Sequence, residues 1–137
     1  MSKLNLHVDS SSDDIIADLQ LLIRQPSVSA VKEGLVECAN VVANIMGKGG
    51  ITTEIIHLYN KREGIDSGSD SDADVPPPLV HGEVKSKANP NGRTILFYNH
   101  YDVQPVDPIE LWNADFFSGK VEDNYIFGRG ERMTKVN

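Results

Sequence analysis

The residues best placed to do chemistry lie in one short stretch, Asn99-His100-Tyr101-Asp102-Val103-Gln104-Pro105. In an extended chain residues i and i+2 point the same way, so His100 and Asp102 share a face. A histidine at the exit of an apolar strand can present one ring nitrogen to a metal ion. A carboxylate two residues on can hold the other nitrogen and set its tautomer. Alone, a His-x-Asp pair is a weak signal, and Gln104-Pro105 adds only that the strand stops there. A second cluster runs from Trp112 to Gly130, WNADFFSGKVEDNYIFGRG. It holds the only tryptophan and a turn at Glu122-Asp123-Asn124 that leads into a short strand, Tyr125-Ile126-Phe127. Gly128-Arg129-Gly130 suits an anion-holding arginine and an ordinary flexible turn equally well. Trp112, Phe116 and Phe117 read as core or lid packing.

These residues sit in an acidic chain. Its 137 residues carry 13 Lys and Arg against 20 Asp and Glu, a net charge of −7. That balance argues against broad electrostatic capture of nucleic acid or of an anionic membrane. No apolar run approaches the roughly 18 residues of a membrane span. The opening MSKLNLHVDS lacks the basic-then-apolar pattern of a secretion signal, so a cytoplasmic protein is expected. A single Cys38 excludes an internal disulfide and a multi-cysteine zinc knuckle. It reads as a small buried apolar side chain. Any metal ligands must then be histidine and carboxylate.

The elements that would position His100 can be read from periodicity. Residues 12–25 form a helix capped by Ser11 or Ser12, with Ile15, Ile16, Leu19, Leu22 and Ile23 at helical spacing and Pro26 as the stop. A second helix is expected over 31–46, with Leu35, Val36, Ala39, Val42, Ala43 and Met46 inward, ended by Gly47. Residues 51–59 are β-branched and read as a strand. Residues 61–78, KREGIDSGSDSDADVPPP, are polar and end in three prolines, an exposed loop. Its alternating Asp70, Asp72 and Asp74 lack the glycine and glutamate offsets of an EF-hand, which favours a solvated acidic loop. Residues 79–86 and 93–103 are expected to pair as strands about the turn Asn89-Pro90-Asn91-Gly92. The nearly continuous apolar run Thr94-Ile95-Leu96-Phe97-Tyr98 suits a central strand covered on both faces. The layout is α/β or α+β, without internal repeats.

Taken together, LFYNHYDVQPV and LWNADFFSGKVEDNYIFGRG, in this order and at this separation, resemble the N-terminal part of the co-catalytic zinc hydrolases. That family includes carnosine-type dipeptidases, aminoacylase, acetylornithine deacetylase and succinyl-diaminopimelate desuccinylase. HYDVQPV followed by a tryptophan looks closest to the dipeptidase branch, and LLIRQPSVSA is similar to the family's opening helix and its exit. The resemblance runs through nearly the whole chain to Gly130, apart from the acidic insertion. It implies the N-terminal part of an α/β/α catalytic domain, incomplete within 1–137. It implies that His100 is the first zinc ligand and that Asp102 is the acid bracing it. It also implies two zinc ions per site, bridged by an aspartate and a water, with a glutamate as general base. Substrates would be small peptides or N-acyl amino acids, and intact relatives would be homodimers. Trp112 and Arg129 are candidates for packing near substrate or lid.

Residues 131–137 depart from that family. Where the resemblance implies Ala-x-Asp-x-Lys-Gly, the chain reads Glu131-Arg132-Met133-Thr134-Lys135-Val136-Asn137. Met133 stands at the bridging aspartate's position, and a thioether cannot replace an anionic oxygen between two such cations. A single-base deletion in codons for Gly-Ala-Thr-Asp-Asp-Lys-Gly-Glu reproduces Gly130 to Asn137, so a frameshift tail is one expectation. The chain alone is then expected to be inactive and not to hold zinc stably. It should leave apolar faces such as 94–98 partly exposed and be poorly soluble or oligomeric. Two other readings stay open: a non-enzymatic interaction module, and a metal-binding protein that completes its site from another chain.

Overall fold

The structure, a computed structural model, describes residues 10–58, 75–112, 115–123, 125–129 and 134–135. Helix α1 (Ser12–Arg24) has Asp13 and Asp14 in its first turn and Arg24 in its last, charges placed where the helix dipole favours them. Ile23 is buried, Leu19 and Leu22 are half-buried, and Ile15 is turned out to solvent. Pro26 cannot continue the helix. A short 3-10 turn, Ser29–Val31, follows, and Lys32 and Gly34 both take left-handed backbone. Val28 and Glu33 exchange two backbone hydrogen bonds, 2.9 and 3.1 Å, that close this loop. Helix α2 (Leu35–Lys48) therefore starts at Leu35 rather than at 31. It buries Leu35, Cys38 and Ala39. Val36, expected inward, is exposed because it stands one step off that stripe.

Strand β1 (Thr52–Ile56) pairs antiparallel with β2 (Leu79–Glu83), Thr52 opposite Glu83 and Ile56 opposite Leu79. The two strands lie against α2. Gly82 makes that contact possible, since a Cβ there would overlap the ends of Met46 and Ile51. This pairing corrects the hairpin expected between 79–86 and 93–103. The turn exists, with Gly92 N donating to Asn89 O at 3.1 Å. However, β2 takes β1 as its neighbour, and among the described residues neither sheet includes 93–102. An apolar run with no polar face needs cover from two layers, and these described elements supply neither. Ile95, Leu96, Phe97 and Tyr98 are 75%, 86%, 83% and 75% exposed.

The second sheet has the order β3-β4-β5, formed by β3 (Lys120–Glu122), β4 (Tyr125–Phe127) and β5 (Thr134–Lys135), all antiparallel. Asp123, in left-handed backbone, begins the expected turn between β3 and β4. Ile126 is its buried residue. Helix α1 docks here: Gln20 Nε2 donates to Gly119 O at 2.7 Å and Arg24 Nε to Ser118 O at 3.0 Å. The result is a mixed α/β fold, the class expected. No helix among the described residues is long and apolar enough to cross a membrane. Residues 61–74 of the acidic loop lie outside the described residues, as do Gly130, Met133 and most of the tail.

Cys38 is buried, as its type suggests. Burial pushes its thiol above the ordinary range, against a smaller opposing hydrogen bond from Ser27. A buried neutral thiol is a poor nucleophile. Native chain should be alkylated by iodoacetamide at least roughly tenfold more slowly than denatured chain. Equal rates, followed by mass spectrometry, would contradict the packing of α2.

Candidate metal-ligand site

The segment 99–105 is held from three sides. The linker between α1 and α2 runs alongside it: Val103 N donates to Ser27 O at 2.9 Å, and Ser29 N to Val103 O at 3.3 Å. These two bonds make a short parallel bridge between Val28 and Val103. Buried Ser27 adds a side-chain bond, Oγ to Tyr101 O at 2.8 Å, and Cys38 Sγ approaches the same carbonyl at 3.7 Å. From the other direction the Tyr101 hydroxyl donates to Pro78 O at 2.6 Å, just ahead of β2. Alternate residues 101 and 103 are thus anchored inward, which leaves 100 and 102 to point away together.

His100 and Asp102 do meet. His100 Nδ1 lies 3.1 Å from Asp102 Oδ1, and the side chains are 71% and 32% exposed. An ionised carboxylate only accepts, so Nδ1 donates across this contact, and a neutral ring would keep its lone pair on Nε2. Tyr98 stacks edge-on against the ring, centroids 5.5 Å apart. The Asp102 carboxyl is held below the ordinary aspartate range. The Ser29 hydroxyl bond is the largest cause, partial burial opposes it, and the His100 bond adds to it. A carboxyl with a depressed folded-state pKa contributes stability above its ordinary value, and loses it as pH falls through the lower, folded one. The melting temperature should therefore fall more steeply with acid, below about pH 4, in the native chain than in Asp102→Asn. Identical acid limbs for the two proteins would show that Asp102 contributes nothing to this acid sensitivity.

The pair falls short of a metal site. Among the described residues no three His, Cys, Asp or Glu side chains converge, whereas a catalytic zinc needs about three protein ligands plus water. Beside the pair, α1, α2, the start of β2 and the segment 97–104 border an open cavity of about 790 Å³.

Trp112 and Arg129 also come together. The Arg129 guanidinium sits 6.0 Å from the Trp112 ring centre. Its Nε donates to Gln104 O at 2.9 Å and its Nη2 to Pro105 O at 2.7 Å. Trp112 Nε1 donates to Val106 O at 2.9 Å, and its ring meets Phe116 edge-on. Both side chains grip the backbone that follows Asp102, and the arginine's donors are directed at carbonyls. Sequence reading missed Ser27 and Ser29 as supports. The signal was the Ser-x-Ser spacing in Gln25-Pro26-Ser27-Val28-Ser29, whose period of two matches a strand laid beside another.

No family profile matches the chain. A Cys-Gly metallodipeptidase of Schizosaccharomyces pombe is 32% identical over 136 residues, covering 95% of this chain and 26% of that protein. A succinyl-diaminopimelate desuccinylase of Polaromonas sp. is 26% identical over 124 residues, covering 85% of this chain and 29% of its own length. Among solved structures, an M20 family metallo-carboxypeptidase from Sulfolobus solfataricus superposes with a TM-score of 0.62 at 34% identity, covering 82% of this chain and 22% of that one. The chain spans about a quarter of the length of the curated relatives it matches. Peptidases and a deacylase share its sequence over nearly its whole length, and a metallo-carboxypeptidase shares its fold: the chain is similar to about a quarter of an M20 family metallopeptidase.

Proposed function

We propose that the chain is the opening segment of a two-zinc amide hydrolase acting on dipeptides or N-acyl amino acids, and that it has no hydrolytic activity alone. The carrying observation is the exposed His100 ring whose Nδ1 is held by Asp102, itself held by Ser29. In this reading His100 is a metal ligand through Nε2, and Asp102 orients the ring and raises its basicity. The remaining ligands and the general base come from residues beyond those described. Met133 takes the place of a bridging carboxylate, as a frameshift tail would. Trp112 and Arg129 set the loop that follows the ligand. Peptidase and desuccinylase activities named for the relatives support the substrate class, and a cytoplasmic setting belongs to the same reading.

Calorimetric titration with zinc and a dipeptide hydrolysis assay test this. One imidazole should give no stoichiometric binding at micromolar zinc, and addition of a chelator should leave the melting temperature unchanged. Tight binding, or turnover, would overturn the reading of an incomplete site. The gene's DNA gives an independent check. A shifted frame must place an aspartate codon across Met133-Thr134 and continue into Lys-Gly. Without that continuation the frameshift is wrong.

A further inference from the structure

The contact between His100 and Asp102 asks a good deal of the backbone. Along an extended chain, side chains two residues apart leave the backbone roughly 7 Å from each other, so these two must lean together to meet at 3.1 Å. The histidine is largely exposed, and a pair this open to water gains little from its own attraction. Its geometry has to come from the residue between them. Tyr101 is held at both ends. Its carbonyl accepts the Ser27 hydroxyl at 2.8 Å and, more distantly, the Cys38 thiol at 3.7 Å. Its own hydroxyl donates to Pro78 O at 2.6 Å. Ser27 is the one buried polar residue among those described, and a buried hydroxyl is kept by the bond it makes.

We propose that Tyr101 is a positioning residue: pinned through its carbonyl by Ser27 and through its hydroxyl by Pro78, it sets the chain twist at which the His100 ring and the Asp102 carboxylate meet. The two anchors come from different parts of the fold, the linker before α2 and the residue ahead of β2. Together they stop residue 101 from turning about the chain axis. The backbone bond from Val103 N to Ser27 O, 2.9 Å, fixes the next residue but one on the same side. Any turn at 101 would swing His100 and Asp102 apart, because both project from the peptides that flank it. The use of this alignment, to aim Nε2 of a neutral ring at a metal ion, rests on the hydrolase reading. The alignment itself does not.

The ring tautomer of His100 tests it, read by nitrogen NMR on the chain with no metal added, at about pH 8.5, where an ordinary histidine is neutral. His100→Gln assigns its resonances among the four histidines. The native ring should carry its proton mainly on Nδ1, the nitrogen that faces the carboxylate. Tyr101→Phe and Ser27→Ala each remove one anchor with little change of shape. Each should lower the ratio of the Nδ1–H to the Nε2–H form roughly threefold or more, the change that loss of one hydrogen bond can drive. In an Asp102→Ala background neither should move the ratio further, because the alignment then has no acceptor to act on. A native ratio in either single variant overturns the proposal. So does a change that persists without the Asp102 carboxylate, the mark of a general loosening. Zinc titration and the hydrolysis assay decide the hydrolase reading and leave this result standing, just as a native tautomer ratio in these variants leaves that reading standing.

Discussion

Gly34→Ala is expected to lower the melting temperature by about 10 °C or more and to leave little folded chain near 40 °C. Gly34 sits at φ +68° and ψ 13°, immediately before α2. A side chain there is disfavoured by about 1–2 kcal/mol from backbone sterics alone. The added Cβ would also fall on the Pro26 carbonyl, and Gln25 Nε2, itself bonded to that carbonyl at 3.0 Å, closes the way out. Overpacking of this kind costs about 1–3 kcal/mol more. The sum, about 3 kcal/mol, is a large share of the stability of any single domain. The loop that would have to shift carries Ser27 and Ser29, so the damage should spread to the segment that presents His100. Gly47 supplies the control. It lies inside α2, a Cβ there meets nothing within 4 Å, and alanine should stabilise the helix by up to about 1 kcal/mol. Thermal melts by circular dichroism decide it: a Gly34→Ala protein within 2 °C or so of the native chain would mean the loop geometry is wrong.

Local chemistry made α1 legible in the sequence. Paired aspartates, an apolar stripe and Pro26 are short-range signals, and each acts within one turn of helix. The turn at Asp123 was legible for the same reason. Strand pairing was not, because the choice of neighbour for Leu79–Glu83 depends on groups far apart in the chain. The turn Asn89-Pro90-Asn91-Gly92 argued for 93–103 as that neighbour, but Met46 and Ile51 closing over Gly82 favour β1 instead. A glycine inside a strand was a sign of close approach, although nothing local said what would approach.

The site divides along the same line. That His100 and Asp102 share a face follows from a period of two, and the 3.1 Å contact agrees. That Ser29 is the chief cause of the Asp102 shift required knowing that residues some seventy apart lie side by side, as the Val28–Val103 bridge shows. The resemblance to a hydrolase family drew attention to LLIRQPSVSA, but only the fold explains the pattern physically: two serines at i and i+2, one buried under Tyr101 and one beside Asp102. For Arg129 the two readings left open were an anion site and a flexible turn. Its fork instead holds the carbonyls of Gln104 and Pro105.

That fork carries the second large effect. Arg129→Ala is expected to cost about 2–4 kcal/mol, because it removes two charge-assisted hydrogen bonds and a cation–π interaction at once. Gln104 and Pro105 would keep their carbonyls without these donors, and Trp112 would be deprived of the cation 6.0 Å from its ring. Lysine is a poor substitute, since one ammonium cannot span two carbonyls in the planar geometry that guanidinium offers. Arg129→Lys should recover less than half of the loss. Trp112 is the only tryptophan in the chain, so its emission reports on this loop alone. A red shift should accompany Arg129→Ala, as the indole loosens from Phe116 and becomes hydrated. Because 104 and 105 directly follow the His100–Asp102 pair, the same variant should broaden the His100 ring resonances in NMR. The Gly34 defect acts through the linker, whereas this one acts from the opposite end of the segment, so the two should add in stability. An Arg129→Ala protein with native melting temperature and native tryptophan emission would show that the guanidinium holds nothing.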